Sequence, residues 1–152
     1  MKSSTNALDG TTSFSYDKYG NLVKETDPLG RSNTYSYDLA GQMTSAADPL
    51  GKITAYTYDP AGNITEITKP GGRKTSYGYD KNYNVTSVTD PMGYVAKTVY
   101  DKDNRVTEET DALGQKESYT YDKDSRVTSI TDKRGFTTGL ITMHMEYSGC
   151  YR

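Results

Sequence analysis

The sequence has little of the chemistry that catalysis and metal binding use. It contains one cysteine, Cys150, one histidine, His144, and no tryptophan. A single cysteine forms no internal disulfide, and one Cys with one His falls short of the ligand set of a structural zinc site. Neither residue has an evident partner that would orient it as a nucleophile or a base. We therefore predict no catalytic residues, no cofactor and no metal, and a chain that is not an enzyme.

Aliphatic residues are also scarce, and this scarcity limits the hydrophobic core that the chain can build. Leu, Ile, Val and Phe together number 21 of 152 residues, which is below the roughly 20% typical of chains that build a good core. The net charge is only −2, so the charge half of the disorder signature is missing, and nucleic acid is not expected as a partner. No apolar run approaches membrane-spanning length, and residues 1–6 lack the pattern of a signal peptide. We therefore expect neither membrane insertion nor a conventional core.

What the sequence does have is an internal repeat. A tyrosine–aspartate pair recurs six times at a fixed step of 21 residues. Recurrence without slippage means that one structural unit has been copied, and the repeat decides the architecture. The pairs are Tyr16-Asp17, Tyr37-Asp38, Tyr58-Asp59, Tyr79-Asp80, Tyr100-Asp101 and Tyr121-Asp122.

Each repeat carries two turn signatures. The pair opens an Asp-x-x-Gly segment, and ten residues later comes a second one, written Asp-Pro-Leu-Gly in its full form. Asp caps backbone N–H groups, Pro presets φ, and Gly accepts the left-handed conformation that leads back into a strand. The best-formed turns use Asp17 and Gly20, Asp27 and Gly30, Asp38 and Gly41, Asp48 and Gly51, Asp59 and Gly62, and Asp90 and Gly93.

Three later copies depart from this pattern. The glycine position of the first turn holds Tyr83, Asn104 and Ser125. Asn tolerates positive φ, whereas Tyr does so poorly. We therefore expect these hairpins to be looser or built differently.

Between the turns, the residue columns favour strands. The position two after the first glycine is always apolar, and Tyr35, Tyr56, Tyr77 and Tyr119 precede the paired tyrosine by two residues, which places both rings on one face of a strand. We predict an all-β fold in which tandem 21-residue hairpins form an extended, curved antiparallel sheet. The predicted boundaries are a lead-in with a partial repeat over residues 1–13, six repeats over residues 14–135, and a degenerate tail over residues 136–152 that is a candidate for disorder.

The phrase Tyr-Asp-x-x-Gly-x-Leu-x-x-x-Thr-Asp-Pro-Leu-Gly, which is complete at residues 16–30, resembles the YD repeat, also called the RHS repeat. This family includes Rhs polymorphic toxins, wall-associated proteins, the C components of Tc toxins, and teneurins. The resemblance implies a strip of hairpins that spirals into a hollow shell around a toxic domain, or that serves as an adhesion scaffold. Six repeats are too few to close such a shell. The partners implied are therefore the remainder of an RHS/YD shell, or other copies bound through the open sheet edges, in a secreted or cell-surface setting.

Two sets of repeated residues, the aspartates and the tyrosines, each allow a second interpretation. The aspartates either cap the turns, which we favour, or supply oxygen ligands to calcium. The tyrosines either pack on the sheet, which we favour, or form a platform for carbohydrate, because flat rings stack on sugar faces. The candidate glycan contacts are Tyr35, Tyr37, Tyr56 and Tyr58.

The resulting functional prediction is a non-enzymatic structural scaffold, a fragment or short member of an RHS/YD shell protein associated with toxin encapsulation or surface assembly. The alternative is a carbohydrate-binding module that uses the tyrosine-rich face. A third reading, a decayed gene remnant, rests on the break in the repeat after Gly135.

Overall fold

The computed structural model describes residues 2–5 and 10–139. Of the predicted tail over residues 136–152, the part from Leu140 onward, with His144 and Cys150, lies outside the described residues, as do positions 6–9 of the lead-in. The described chain is all β, with fourteen strands whose order in the sheet is the order in the sequence. The prediction of tandem antiparallel hairpins is confirmed. The described part contains no apolar helix of membrane-spanning length.

The chain divides into two compact units. The first comprises the described residues up to Tyr77 together with Asp90–Met92, and the second comprises Gly78–Thr89 and the described residues from Gly93 onward. In the first unit each strand pairs antiparallel with its neighbours in sequence. Its strands are β1 (Lys2–Thr5), β2 (Thr11–Tyr16), β3 (Leu22–Thr26), β4 (Ser32–Tyr37), β5 (Met43–Ala47), β6 (Ile53–Tyr58), β7 (Ile64–Lys69) and β8 (Arg73–Tyr79), of which the last two residues fall in the second unit.

The second unit repeats this arrangement. Its strands also pair antiparallel in sequence order. They are β9 (Val85–Thr89), β10 (Val95–Tyr100), β11 (Val106–Thr110), β12 (Lys116–Tyr121), β13 (Val127–Thr131) and β14 (Thr137–Gly139).

The hairpin turns share one backbone construction. At the first of them, Asp17 N donates to the Asn21 carbonyl over 2.9 Å, and Gly20 N donates to the Asp17 carbonyl over 3.2 Å. The second bond closes a type I turn, and the glycine that follows has φ of 91°, in the left-handed region that favours glycine. The turn at Asp27 repeats both bonds, to Arg31 and from Gly30.

The three turns without glycine are built in the same way as the others, so the expectation of a different construction is wrong. Tyr83, Asn104 and Ser125 have φ of 65°, 60° and 64°, and each donates its backbone N–H to the aspartate carbonyl three residues earlier, as glycine does elsewhere. The two flanking strands fix the chain direction at the turn, so the side chain is held in a conformation that costs it about 1–2 kcal/mol. The surrounding ladder overrides the local preference.

A bulge follows each described Tyr-Asp turn whose register is resolved. Tyr37 pairs with Met43, whereas Ser36 pairs with Ser45, which leaves Thr44 as an extra residue in β5. The same shift occurs at Tyr16, Tyr58, Tyr100 and Tyr121. Such a bulge moves the following side chains to the other side of the strand.

The bulge explains how a repeat with an odd number of residues keeps equivalent side chains on the same face of the sheet. Tyr35 pairs with Ala46, and Ala46 pairs with Thr54. Thr54 lies two residues before Tyr56 in β6, so Tyr35 and Tyr56 share a face although 21 is odd. Without the extra residue, equivalent side chains of successive repeats would alternate between the two faces.

The sheet therefore has two chemically distinct faces in each unit. We call the first the tyrosine face; in the first unit its cross-strand sequence includes Tyr35, Ala46, Thr54, Tyr56 and Ile67. The opposite, hydroxyl face carries mainly Ser, Thr and Ala, and its side chains bond across strands, as in the 3.0 Å contact between the hydroxyls of Thr57 and Thr65. Among the described residues no side chain is buried. Each unit is thus a single layer, as the shortage of aliphatic residues requires.

Candidate functional site

The aspartates that open the turns act as caps. Asp17 Oδ1 accepts backbone N–H groups from Tyr19 and Asn21, both at 2.9 Å. Asp17 Oδ2 accepts from Asn21 Nδ2 at 3.0 Å, so both carboxylate oxygens are used within the turn. This is the arrangement by which Asp stabilises turns.

The second turn of each repeat is capped in the same way. Asp27 Oδ1 accepts from Leu29 N and Arg31 N, both at 2.9 Å, and Arg31 Nε donates to Asp27 Oδ2 at 2.6 Å. The other predicted caps that accept two backbone N–H groups on Oδ1 are Asp38, Asp48 and Asp59. Asp90 Oδ1 accepts Met92 N at 2.8 Å.

The caps also set the electrostatics of the turns. Asn63 Nδ2 donates to Asp59 Oδ2 at 2.9 Å, and this bond is the largest cause that lowers the pKa of Asp59. In the second unit the pKa of Asp101 is lowered chiefly by the side-chain bond from Arg105. Donors stabilise the charged carboxylate, so these caps stay ionised to lower pH than free aspartate. Within the described residues, no three acidic, His or Cys side chains converge into a cation site.

The tyrosines of four Tyr-Asp pairs reach back to the strand that follows the preceding Tyr-Asp turn. Tyr37 Oη donates to the Leu22 carbonyl at 2.9 Å, and Tyr58 Oη donates to the Met43 carbonyl at 2.7 Å. The second unit has the same bonds, from Tyr100 to Val85 at 3.1 Å and from Tyr121 to Val106 at 2.6 Å. The accepting residue is always the apolar residue that follows the bulged turn of the previous repeat. These hydroxyls therefore tie repeat to repeat.

The four candidate glycan tyrosines consequently differ in role. The hydroxyls of Tyr37 and Tyr58 are committed to main-chain carbonyls. Tyr35 instead lines a shallow depression of about 310 Å³ on the tyrosine face. Tyr56 is not among its lining residues, which are Asn33, Tyr35, Ala46, Ala47, Asp48, Lys52, Thr54 and Pro70.

The second unit has a depression at the equivalent place, three repeats further along the chain, with a volume of about 250 Å³. Its chemistry is different, because Glu109 and Glu117 replace Ala46 and Thr54. Lys133 Nζ lies 2.7 Å from Asp111 Oδ2, and this bond is the largest cause that raises the pKa of Lys133. The repeat thus conserves the shape of the depression but not its lining.

A further set of contacts joins neighbouring turns, and the sequence patterns did not reveal it. Asn84 Nδ2 donates to Asn104 Oδ1 at 2.8 Å, and Arg105 Nη1 donates to the Ser125 hydroxyl at 3.3 Å. In the first unit a Cβ on Gly62 would lie 2.8 Å from Gln42 Nε2. In each case the residue just after one turn reaches the glycine position of the next.

These contacts explain the two polar residues with left-handed φ in the second unit. The side chains of Asn104 and Ser125 accept a hydrogen bond that glycine, which has no side chain, could not accept. The sequence does contain a pattern that could have indicated these contacts between turns. The position that follows the first turn carries a side chain with an N–H donor in all six copies, namely Asn21, Gln42, Asn63, Asn84, Arg105 and Arg126.

The geometry as a whole defines a class of protein. Capped turns, a bulge in each repeat and hydroxyl-to-carbonyl ties join one hairpin to the next, and these features recur with the sequence period. This is a structural repeat protein in which contacts run between sequence neighbours.

The family follows from the comparison with known repeats. The RHS Repeat family model matches residues 2–32, 16–53, 37–74, 58–95 and 100–137. The chain therefore belongs to the RHS repeat family, and the resemblance drawn from the Tyr-Asp phrase is confirmed. No curated protein gives a match.

Solved structures share the fold. The crystal structure of TcdB2-TccC3-Cdc42 matches with a TM-score of 0.65 at 20% sequence identity, and that of TcdB2-TccC3 with a TM-score of 0.63 at 21%. TcdB2-TccC3 without its hypervariable C-terminal region matches at 0.64 and 20% identity. Each match covers 81% of this chain but only 7% of the solved chain. The chain thus corresponds to a small part of those proteins.

Proposed function

We propose that this chain is a non-enzymatic wall segment, a scaffold that works as part of a larger RHS/YD assembly in toxin encapsulation or at a cell surface. The observation that carries the proposal is the single-layer sheet in which no described residue is buried. A domain that folds around its own core and presents a site would bury side chains. A strip of repeats instead gains stability from each added neighbour.

The comparisons support the setting. The chain has the fold of a stretch of TcdB2-TccC3, and the match covers 7% of that solved chain. A wall segment of this size would act with further repeats, either on the same polypeptide or on another. We infer secretion or surface exposure for this chain from its proposed place in such an assembly.

In-phase lengthening tests the scaffold role. A second copy of residues 16–99, which is four whole periods, is inserted before Tyr16 so that Val99 joins Tyr16 as it normally joins Tyr100. A wall segment continues as one longer strip, with one unfolding transition at a higher temperature than the parent. Small-angle scattering and calorimetry give both readouts.

A self-contained domain would respond otherwise to the same insertion. The added residues would form a separate body or stay unfolded, and the melting temperature of the parent transition would not rise. That result would refute the scaffold role.

The second candidate is carbohydrate binding on the tyrosine face. The depression beside Tyr35 favours it, since this depression combines an aromatic ring with Asn33, Asp48 and Lys52, and its volume of about 310 Å³ lies within the range of small-ligand sites. The flat ring would stack on a sugar face while the polar groups bond to hydroxyls.

A glycan array tests this candidate. Tyr35→Ala is expected to abolish binding, whereas Tyr37→Phe, whose lost hydroxyl bonds to the Leu22 carbonyl, retains it. Circular dichroism verifies that both variants keep the sheet. An array without signal for the parent chain would reject the candidate.

A further inference from the structure

The depression beside Tyr35 is lined by polar side chains whose hydrogen-bonding capacity is not used within the described chain. Asp48 Oδ1 accepts two backbone N–H groups of its own turn, both at 2.9 Å, whereas Asp48 Oδ2 accepts no bond from a described residue. Lys52 forms no ion pair with a described residue, and the side chains of Asn33 and Thr54 form no hydrogen bond in that part of the chain. These groups are therefore open to a ligand.

The second unit shows how the same carboxylate is satisfied when the chain supplies a donor. Asp111, three repeats after Asp48, accepts a bond on Oδ2 from Lys133 Nζ at 2.7 Å. The residue at the position of Lys133 in the first unit is Pro70, which also lines the depression. Proline has no donor, so the sequence has removed the partner that would occupy Asp48 Oδ2.

The depression also has apolar surface next to this carboxylate. Ala46 pairs with Tyr35 on one side and with Thr54 on the other, so its methyl group lies between them on the tyrosine face. Pro70 is half-buried, whereas Pro28 in the equivalent turn two repeats earlier is exposed. A ligand that fits this lining presents an apolar group beside a hydrogen-bond donor.

The charges of the depression favour a neutral ligand. Its lining has one carboxylate, Asp48, and one ammonium group, Lys52. Glu25 pairs with Asn33 across the strands, which places a second carboxylate on the same face. An anionic ligand would be repelled by the two carboxylates, and a cationic ligand by Lys52.

We propose that the depression binds a sugar that carries an N-acetyl group, in preference to a sugar with hydroxyl groups alone. This inference rests on the carbohydrate candidate of the proposed function and specifies its ligand. The amide N–H donates to Asp48 Oδ2, and the amide carbonyl accepts from Lys52 or Asn33. The methyl group contacts Ala46 while the face of the sugar ring stacks on Tyr35.

Three matched trimers test the preference, namely those of N-acetylglucosamine, glucose and glucosamine. They differ only in the acetamido, hydroxyl or ammonium group at the second carbon of each ring. An NMR titration of the full chain that follows the methyl signal of Ala46 measures the affinity and locates the contact. The acetylated trimer is expected to bind about tenfold or more tightly than either of the others.

Two substitutions test the part played by the free carboxylate oxygen. Asp48→Asn retains an oxygen for the turn and replaces the other with a donor, and Pro70→Lys supplies the lysine that bonds to Asp111 in the second unit. Each is expected to weaken binding of the acetylated trimer by about tenfold. Asp38→Asn and Pro28→Lys make the same changes outside the depression and should leave binding unchanged. Circular dichroism verifies that all four variants keep the sheet.

The outcomes separate this inference from the carbohydrate candidate itself. If the glucose trimer binds as tightly as the acetylated one and Tyr35→Ala abolishes both, the candidate stands and the N-acetyl preference is wrong. Tightest binding by the glucosamine trimer, or full binding by Asp48→Asn, also overturns the preference. If none of the trimers binds while the glycan array gives a signal for other sugars, only the preference fails. A silent array together with silent trimers overturns both.

Discussion

At the scale of single residues, the paired tyrosine is explained by its hydroxyl more than by its ring. A phenylalanine would supply the same apolar surface to the tyrosine face. Only tyrosine can also donate to the carbonyl of the preceding repeat, as Tyr58 does to Met43 over 2.7 Å. In a sheet without buried residues, such bonds between repeats carry a larger share of the stability than they would above a core.

Removing one such hydroxyl gives the first prediction. Tyr58→Phe leaves the Met43 carbonyl without its donor and lowers the free energy of unfolding by about 1 kcal/mol. Tyr56→Phe is the matched control, because Tyr56 lies on the same strand and outside the column of hydroxyl-to-carbonyl bonds. Urea denaturation followed by circular dichroism compares them. Equal losses for both variants would show that the bond to Met43 contributes nothing particular.

At the scale of the turn, the capping carboxylates link stability to pH. The pKa of Asp59 lies below its ordinary value, chiefly because of the Asn63 side-chain bond, and the pKa values of Asp17 and Asp80 are lowered chiefly by the equivalent bonds from Asn21 and Asn84. A carboxylate with a lowered folded pKa contributes stability above its unfolded pKa. That contribution is lost as the pH falls through the folded pKa.

The second prediction follows from this sign. Between about pH 5 and about pH 2.5 the protein loses stability, and Asp59→Asn loses less over the same range because one titrating cap has been removed. Melting curves at each pH measure the difference. Asn63→Ala should raise the pKa of Asp59 toward its ordinary value in an NMR titration. An unchanged Asp59 titration in that variant would contradict the assigned cause.

Arg105 joins two turns through several contacts. Its Nε donates to Asp101 Oδ2 at 2.8 Å, its Nη1 donates to the Asp122 carbonyl at 3.0 Å, and its Cζ lies 4.7 Å from the centre of the Tyr121 ring. The planar guanidinium makes these contacts together, which a lysine could not reproduce. Only 23% of the side chain is exposed.

The third prediction compares Arg105 with its equivalent one repeat later. Arg105→Gln is expected to lower the melting temperature by several degrees, because the contacts with the next turn are lost. Arg126→Gln should have a smaller effect, since the described bonds of Arg126 go to Asp122 and Asp124 within its own turn. Thermal denaturation of both variants decides the matter, and an equal or larger effect of Arg126→Gln would refute the role of the bridge.

The sequence predicted the strands and turns because those are local properties. The positions of Asp27 and Gly30 specify a turn whatever lies beside it, and the spacing of Tyr35 and Tyr37 specifies a strand face. Contacts between repeats could not be derived in the same way. The bond from Tyr58 to Met43 and the reach of Arg105 to Ser125 depend on the register of neighbouring strands, which the bulge sets. The left-handed φ of Tyr83 could not be predicted for the same reason, because the paired strands on either side of the turn impose it.

At the scale of the whole molecule, stability is a sum over neighbours and not the property of a core. Every described strand is half-buried or exposed, and its partners are the strands next to it in sequence. Such a chain tolerates the loss of a complete repeat better than a globular domain tolerates the loss of an element. The tolerance depends on the length removed, because the bulge matches an odd period to the alternation of the strands.

Two deletions that differ by one residue provide the fourth prediction. Deletion of residues 38–58 removes one whole period and joins Tyr37 to Asp59, which restores a Tyr-Asp turn. This variant is expected to keep a cooperative transition at a moderately lower melting temperature. Deletion of residues 39–58 leaves one extra residue, Asp38, and shifts the downstream side chains to the opposite face relative to the upstream ones. The alternation that keeps the tyrosines of successive repeats on one face is then broken at the junction, so the longer of the two variants should be the less stable. If both deletions melt alike, the faces are not maintained by the 21-residue register, and the bulge has no part in keeping the tyrosines on one side.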